Sequence, residues 1–234
     1  MTKLYAVVPA AGVGARMQAD RPKQYLSILG KTILEHTLER LLRFEDIQHM
    51  VLPVSAHDTF FSSLGVASHE KVTTCNGGAE RFESVLNGLN ALLDLGAQLE
   101  DRVLVHDVAR PCISLKDLTT LARSDCSQGV ILGAPVRDTM KRTLDSGKID
   151  HTVSRENLWH ALTPQMAPLG KLKAAIEQAL VDGAVVTDEA SALEHMGYQP
   201  MMLEGSPSNI KVTRPEDLFL ATAYLSYENQ QCSE

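Results

Sequence analysis

Val7–Tyr25 reads VVPAAGVGARMQADRPKQY, a glycine loop fed by an apolar run and followed by cations that include Arg16 and Lys23. The run that leads into it, LYAVV, is apolar and β-branched, so it reads as a strand that ends where the small residues begin. Gly12-Val13-Gly14 first suggests a dinucleotide fingerprint. That pattern needs a third glycine at position 17, where close helix–strand packing leaves no space for a side chain, and the chain carries Met17. A Walker-type loop fails as well, because no Gly-Lys-Ser/Thr follows. What remains is a loop of Ala10, Ala11, Gly12 and Gly14 that lets a ligand lie against the backbone, with Arg16 and Lys23 beside it. Backbone N–H groups in such a loop cradle an anion, and Arg and Lys meet phosphate oxygens. Pro22 restricts the chain just before Lys23 and helps to fix where that lysine points.

Outward from this loop, short strand-like runs (HMVLPV, KVTTC, RVLVH, GVILGAPV) alternate with segments of helical period such as TILEHTLERLLRF and ERFESVLNGLNALLDLG. The alternation predicts an α/β fold: a Rossmann-like, mostly parallel twisted sheet flanked by helices. In such sheets ligands sit beyond the carboxyl ends of the strands, so PAAGVGARM, NGGAERF and HDVARP are where chemistry is expected. The pattern breaks over residues 137–159, RDTMKRTLDSGKIDHTVSRENLW, which has strand-like character around an Asp-Ser-Gly turn. We therefore expect one domain, residues 1–234, with a β-hairpin arm inserted at 137–159. The helical pattern resumes at PLGKLKAAIEQALVDG, and Trp159 and Leu162 are expected to pack at the base of the arm. A lone hairpin cannot bury both of its faces, so pairing with a second copy is the natural remedy.

At 234 residues and 44% hydrophobic content the chain can fill a substantial core. Its formal charge of -7 argues against nucleic acid or an anionic membrane as partner, so any phosphate site has to be local. Cys75, Cys112, Cys126 and Cys232 fall in no metal-binding or disulfide spacing, which predicts reduced thiols. No apolar run approaches the roughly 18 residues that span a bilayer. These features, with an N-terminus that runs directly into the first strand, lead us to expect a cytoplasmic protein.

PAAGVGARM followed by PKQY resembles the motif of the GT-A-like nucleotidyltransferases, and PKQYLSILGKTILEHTLERL is similar to the cytidylyltransferases among them. GGAERFESVLNGL, LVHDVARP, APVRDTMKR, LWHALTPQ, TDEASALE and NIKVTRPEDL then resemble, in order and across nearly the whole chain, the 2-C-methyl-D-erythritol 4-phosphate cytidylyltransferase family. Ala15, Ala79 and Val108 depart from residues common in that family. The resemblance implies transfer of the cytidylyl group of CTP to methylerythritol phosphate, with release of pyrophosphate, in the non-mevalonate isoprenoid pathway. It also implies Mg2+ as a divalent cofactor used with CTP, and a homodimer formed through the arm.

By the same resemblance Arg16 and Lys23 stabilise the charge of a phosphorane-like transition state, where positioning and positive charge carry most of the catalysis. Gly77, Gly78 and Ser84 join Ala10, Ala11, Gly12 and Gly14 around the nucleotide, Ser84 meeting a cytosine edge. Asp107 faces the metal or the ribose, the competing structural reading being a helix N-cap or turn carboxylate. Arg110 holds a substrate phosphate or pins Asp107. Thr139, Arg155, Thr163, Thr187 and Lys211 serve the acceptor, with Thr139 and Arg155 reaching the neighbouring subunit's site, and Arg155 and Lys211 also count as catalytic. No histidine is needed as a base, because a phosphate monoester is already ionised at neutral pH. The rival readings are a cytidylyltransferase for another polyol phosphate such as ribitol 5-phosphate, a non-catalytic nucleotide-binding regulator, and a dehydrogenase.

Overall fold

The computed structural model describes residues 2–12, 17 and 21–231; Gly14, Ala15 and Arg16 lie outside these. Strand β1, Leu4–Val7, is buried on both faces, as an apolar run in a covered parallel sheet must be. It lies between β4 (Ile47–Val54) and β6 (Arg102–Val105), parallel to both. Strands β2 (Ser27–Ile28) and β3 (Lys31–Thr32) pair separately, and β5 (Val72–Asn76) extends the main sheet beyond β4. On the other side come β10 (Trp159–Pro168), β7 (Val130–Pro135) and β11 (Met201–Glu204), which gives the order β11-β7-β10-β6-β1-β4-β5. Six strands share one direction; β10 alone is antiparallel to its neighbours.

Alternate side chains of the strands face opposite layers. Leu4, Ala6 and Leu104 pack with Leu34, Leu38 and Leu41 of α1 (Ile33–Leu42) and with Leu118 and Leu121 of α3 (Leu115–Arg123). Tyr5, Val7, Val103 and Val105 pack the other way, against α2 (Arg81–Asp94), α4 (Leu169–Val181) and α5 (Glu189–His195). A smaller cluster seats α6 (Pro215–Gln231) through Ala221 and Leu225 on Ile28, Ile33 and Val212. Helix starts are fixed locally: Thr32 and Glu35 form a reciprocal capping box on α1, and the Asp188 carboxylate accepts from Ser191 N at 2.9 Å on α5.

The chain moves from β1 outward to β4 and β5, then crosses to the other side of β1 for β6. Beyond the carboxyl ends of β1 and β6 lies the crevice that this reversal of direction opens. Between β7 and β10 the chain leaves the sheet as β8 (Met140–Thr143) and β9 (Ile149–Val153), an antiparallel pair. Its turn is the predicted Asp145-Ser146-Gly147, closed by Leu144 N donating to Lys148 O at 2.9 Å, with Gly147 at φ +78°.

One expectation needs correction. After the hairpin the chain re-enters the sheet as β10, between β7 and β6. Leu162 packs on the main core instead of at the base of the hairpin, while Trp159 does sit at the root, paired with Pro135. The reason is non-local, since β10 is a strand only because β6 and β7 flank it.

Candidate active site

Two clefts open at the carboxyl ends of the strands and share one wall. The first is lined by Pro9–Gly12, Lys23, Gln24, Gly78, Glu80, Ser84 and the Val108–Ala109 backbone; the second by Arg110, Leu162, Thr163, Gln165, Thr187 and Asp188. Arg81, Asp107 and Lys211 line both.

The first cleft is assembled from strand ends. Ala10 N donates to Pro53 O at 2.8 Å and Gly77 N to Val54 O at 2.7 Å, which seats both small-residue loops on β4. A Cβ on Gly77 would stand 2.4 Å from Ala11 Cβ, so the two loops approach as closely as only glycine permits. Ser84 is buried; its hydroxyl, expected to meet a cytosine edge, accepts from Gly78 N at 3.0 Å and donates to Glu80 O at 3.2 Å. Lys23 follows Pro22 in a single 3-10 turn, and its Nζ donates to Val212 O at 3.0 Å. Sequence reasoning missed Gln24, a buried side chain whose Nε2 donates to Ala10 O at 2.6 Å and ties the lysine's turn to the opening loop.

At the shared wall Asp107, 7% exposed, meets three cations. Arg81 Nε donates to Oδ1 at 2.9 Å, Lys211 Nζ lies 2.8 Å from Oδ2, and Arg110 Nε lies 3.5 Å from Oδ2. Burial opposes ionisation of this carboxyl, but Arg81, Lys211 and Arg110 outweigh it and hold its pKa well below the usual carboxylate range. Arg110 is itself buried and donates from Nη1 to Asn209 O at 2.7 Å while it lines the second cleft. Arg81 also grips Glu189 through both terminal nitrogens, at 2.6 and 3.2 Å. Neither Arg81 nor Glu189 was singled out from sequence, although AERFES and DEAS contain them.

Thr163 and His106 support the same wall from below. The Thr163 hydroxyl accepts from Asp107 N at 3.0 Å and lies 3.0 Å from His106 Nδ1. The ring's Nε2–H then donates to Arg110 O at 3.1 Å, which fixes the neutral tautomer. Burial pushes the imidazole down to about 4, against the opposing pull of the Arg110 carbonyl and the Asp107 charge. His106 is therefore neutral at neutral pH.

The profile of the 2-C-methyl-D-erythritol 4-phosphate cytidylyltransferase family matches residues 4–227. The chain belongs to this family. A Vibrio vulnificus (strain CMCP6) member is 54% identical over 233 residues, spanning 99% of this chain and 98% of the relative. A Pseudoalteromonas atlantica member is 54% identical over 224 residues, with 95% of each chain covered. Among solved structures, the Francisella tularensis 2-C-methyl-D-erythritol 4-phosphate cytidylyltransferase superposes with a TM-score of 0.82 at 36% identity, covering 95% of this chain and 100% of its own. A 4-diphosphocytidyl-2C-methyl-D-erythritol synthase gives 0.84 at 38%, covering 96% and 99%.

Set against the roles that the family resemblance implies, Ala10, Ala11, Gly12, Lys23, Gly78, Ser84 and Asp107 line one cleft, with Gly77 just behind it. Arg110, Thr163, Thr187 and Lys211 line the other. Gly14 and Arg16 lie outside the described residues. Thr139 and Arg155 lie on the exposed hairpin and line neither cleft; an Arg155 terminal nitrogen donates to Arg137 O. The metal-ligand role given to Asp107 does not fit: both of its oxygens face protein cations. Among the described residues no group of three His, Cys, Asp or Glu side chains is gathered for a metal.

Proposed function

We propose that this chain transfers the cytidylyl group of CTP to 2-C-methyl-D-erythritol 4-phosphate, giving 4-diphosphocytidyl-2-C-methyl-D-erythritol and pyrophosphate for non-mevalonate isoprenoid synthesis. The observation that carries this reading is the pair of clefts meeting at Arg81, Asp107 and Lys211 in a chain that the family profile matches almost end to end.

CTP lies in the first cleft, its base and ribose against the Ala10–Gly12 and Gly77–Gly78 backbones and its phosphates toward Lys23 and Arg16. The acceptor lies in the second cleft, where Thr163 and Thr187 offer hydroxyls to a polyol and Lys211 faces its phosphate. An oxygen of that phosphate attacks the α-phosphorus. The new P–O bond forms as the bond to pyrophosphate breaks, and pyrophosphate leaves with the electron pair. No side chain has to remove a proton, because the attacking phosphate is already ionised. Lys23 and Arg16 stabilise the charge that gathers on the equatorial oxygens. Asp107, locked by its three cations, holds the guanidinium groups and Lys211 apart at fixed spacing and is available to the ribose. Since Asp107 does not suit a resident ion and no metal-ligand group gathers among the described residues, Mg2+ enters on the triphosphate as part of the substrate, where it lowers the charge that the acceptor must approach.

The reading includes a single domain, residues 1–234, whose arm at 137–159 pairs with that of a second copy and carries Thr139 and Arg155 to the neighbour's acceptor cleft. Exposed Met140, Leu144 and Ile149 on the bare hairpin support this, as does the resemblance to the family. A cytoplasmic location belongs to the same reading; Cys75, Cys112 and Cys126 are unbridged. Among the described residues no helix is long and apolar enough to cross a membrane.

Pyrophosphate release measured with CTP, Mg2+ and either methylerythritol phosphate or ribitol 5-phosphate tests the function. Turnover is expected with the first acceptor. Turnover with ribitol 5-phosphate alone would move the chain to another substrate, and CTP binding without turnover would make it a regulator.

A further inference from the structure

Glu189 lines neither cleft, yet it is 3% exposed; burial pushes its carboxyl up, and the Arg81 guanidinium pulls the other way. Glu189 is the first residue of α5, set there by the Asp188 cap and by Gln165 of β10, whose Oε1 accepts from Ala190 N at 2.8 Å and whose Nε2 donates to Asp188 Oδ2 at 2.9 Å. Its carboxylate takes both terminal nitrogens of Arg81, the first residue of α2, which leaves Arg81 Nε directed at Asp107 at the end of β6. One guanidinium thus joins α2, α5 and the wall common to both clefts.

A buried ion pair is a poor way to obtain stability alone, because desolvation offsets most of its attraction and an apolar pair of similar volume serves as well. An apolar pair cannot aim a cation. Bidentate geometry fixes the guanidinium plane, and a lone contact to Asp107 would leave it free to turn toward whichever phosphate is nearest. The wall holds Arg81, Arg110 and Lys211 against Asp107 and Glu189, so one positive charge is left over between two anionic substrates. Without Glu189 that balance shifts by a further unit at the same place.

Resting on the cytidylyl-transfer reading above, we propose that Glu189 is a positioning residue for the reaction: it holds Arg81 so that Arg81 stays on Asp107 and off the substrates' phosphates. The test compares wild type, Glu189→Gln, Glu189→Asp, Arg81→Lys and the Arg81→Lys/Glu189→Gln double variant for pyrophosphate release, varying CTP and methylerythritol phosphate in turn, well below each melting temperature. Absence of turnover in wild type would overturn the function itself. With wild type active, Glu189→Gln is expected to lose at least tenfold in kcat while neither KM rises more than about threefold. Glu189→Asp, which keeps the charge, recovers part of that loss and serves as the probe if the Gln variant does not fold. The double variant is expected to be no slower than the slower single, because both residues act through one contact. Wild-type kcat with only a lowered melting temperature would make the pair structural. Losses that multiply in the double variant would show that Glu189 does not act through Arg81, and either result overturns the inference.

Discussion

Asp107 illustrates how little a residue's type says about its role. A strand-end carboxylate beside a nucleotide cleft suggests a metal ligand, but three cations within 3.5 Å turn it into the hub of a protein-made network. Asp107→Asn leaves those cations facing a neutral amide in a buried place, which typically costs about 3–5 kcal/mol. Urea unfolding should show a loss of that order, with turnover falling alongside; unchanged stability would mean that the network is not needed to hold the wall. Lys23 is the opposite case. It lines an open cleft, and its Nζ donates to the Val212 carbonyl. Lys23→Ala should melt near wild type yet lose about 3 kcal/mol of transition-state stabilisation, on the order of a hundredfold in kcat at saturating substrates. A loss of tenfold or less would remove the role assigned to it.

Elements matter here through what their ends bring together. The turn from β5 to α2 carries Gly77 against Ala11 of the turn after β1, with no room for a methyl group. Gly77→Ala forces the two loops apart, an overpacking cost of about 1–3 kcal/mol. Because Ala11 and Gly78 line the first cleft and not the second, KM for CTP should rise roughly tenfold or more, with KM for the acceptor less changed. Equal rises for both substrates would mean that the nucleotide lies elsewhere. The hairpin of β8 and β9 was legible for a local reason, since its turn residues and strand propensity are contained in one short segment. Strand β10 was not: WHALTPQMAP has no period-2 pattern, and its hydrogen-bond partners are about 30 and 60 residues away in sequence, a separation that propensity does not register.

On the scale of the whole molecule, two quantities follow from the arrangement. In the unfolded chain His106 titrates near 6.5, whereas burial in the fold lowers it to about 4. Between those values the unfolded chain takes up a proton that the folded one refuses. The contribution of neutral His106 is therefore complete above about pH 6.5 and drains away toward pH 4, by about 3 kcal/mol. Urea unfolding of wild type and His106→Gln across that window should show wild type losing more stability than the variant; parallel profiles would refute the assignment. The second quantity is the shared site. If Arg155 serves the neighbour's acceptor cleft, mixing Arg155→Ala with Lys23→Ala protein yields hybrid dimers with one site intact and one doubly impaired. Activity above either parent is expected once mass spectrometry shows subunit exchange, and activity at the parents' level after exchange would place Arg155 in its own chain's site or in none.

By itself the sequence determined what local pattern can carry: the alternation of β1, β4, β5, β6 and β7 with helices, the small-residue loops at strand ends, the turn of the arm, and a family resemblance spread over motifs in register. Only the tertiary structure decided who faces whom. Gln24 reaches Ala10, Lys23 reaches Val212, and Arg81, which also holds Asp107, reaches Glu189 across 108 positions of sequence. Such contacts arise where crossovers of a parallel sheet return distant segments to one edge. A charged side chain reads the same in sequence whether it meets solvent, substrate or a buried partner, and only burial and distance in the folded chain tell these apart.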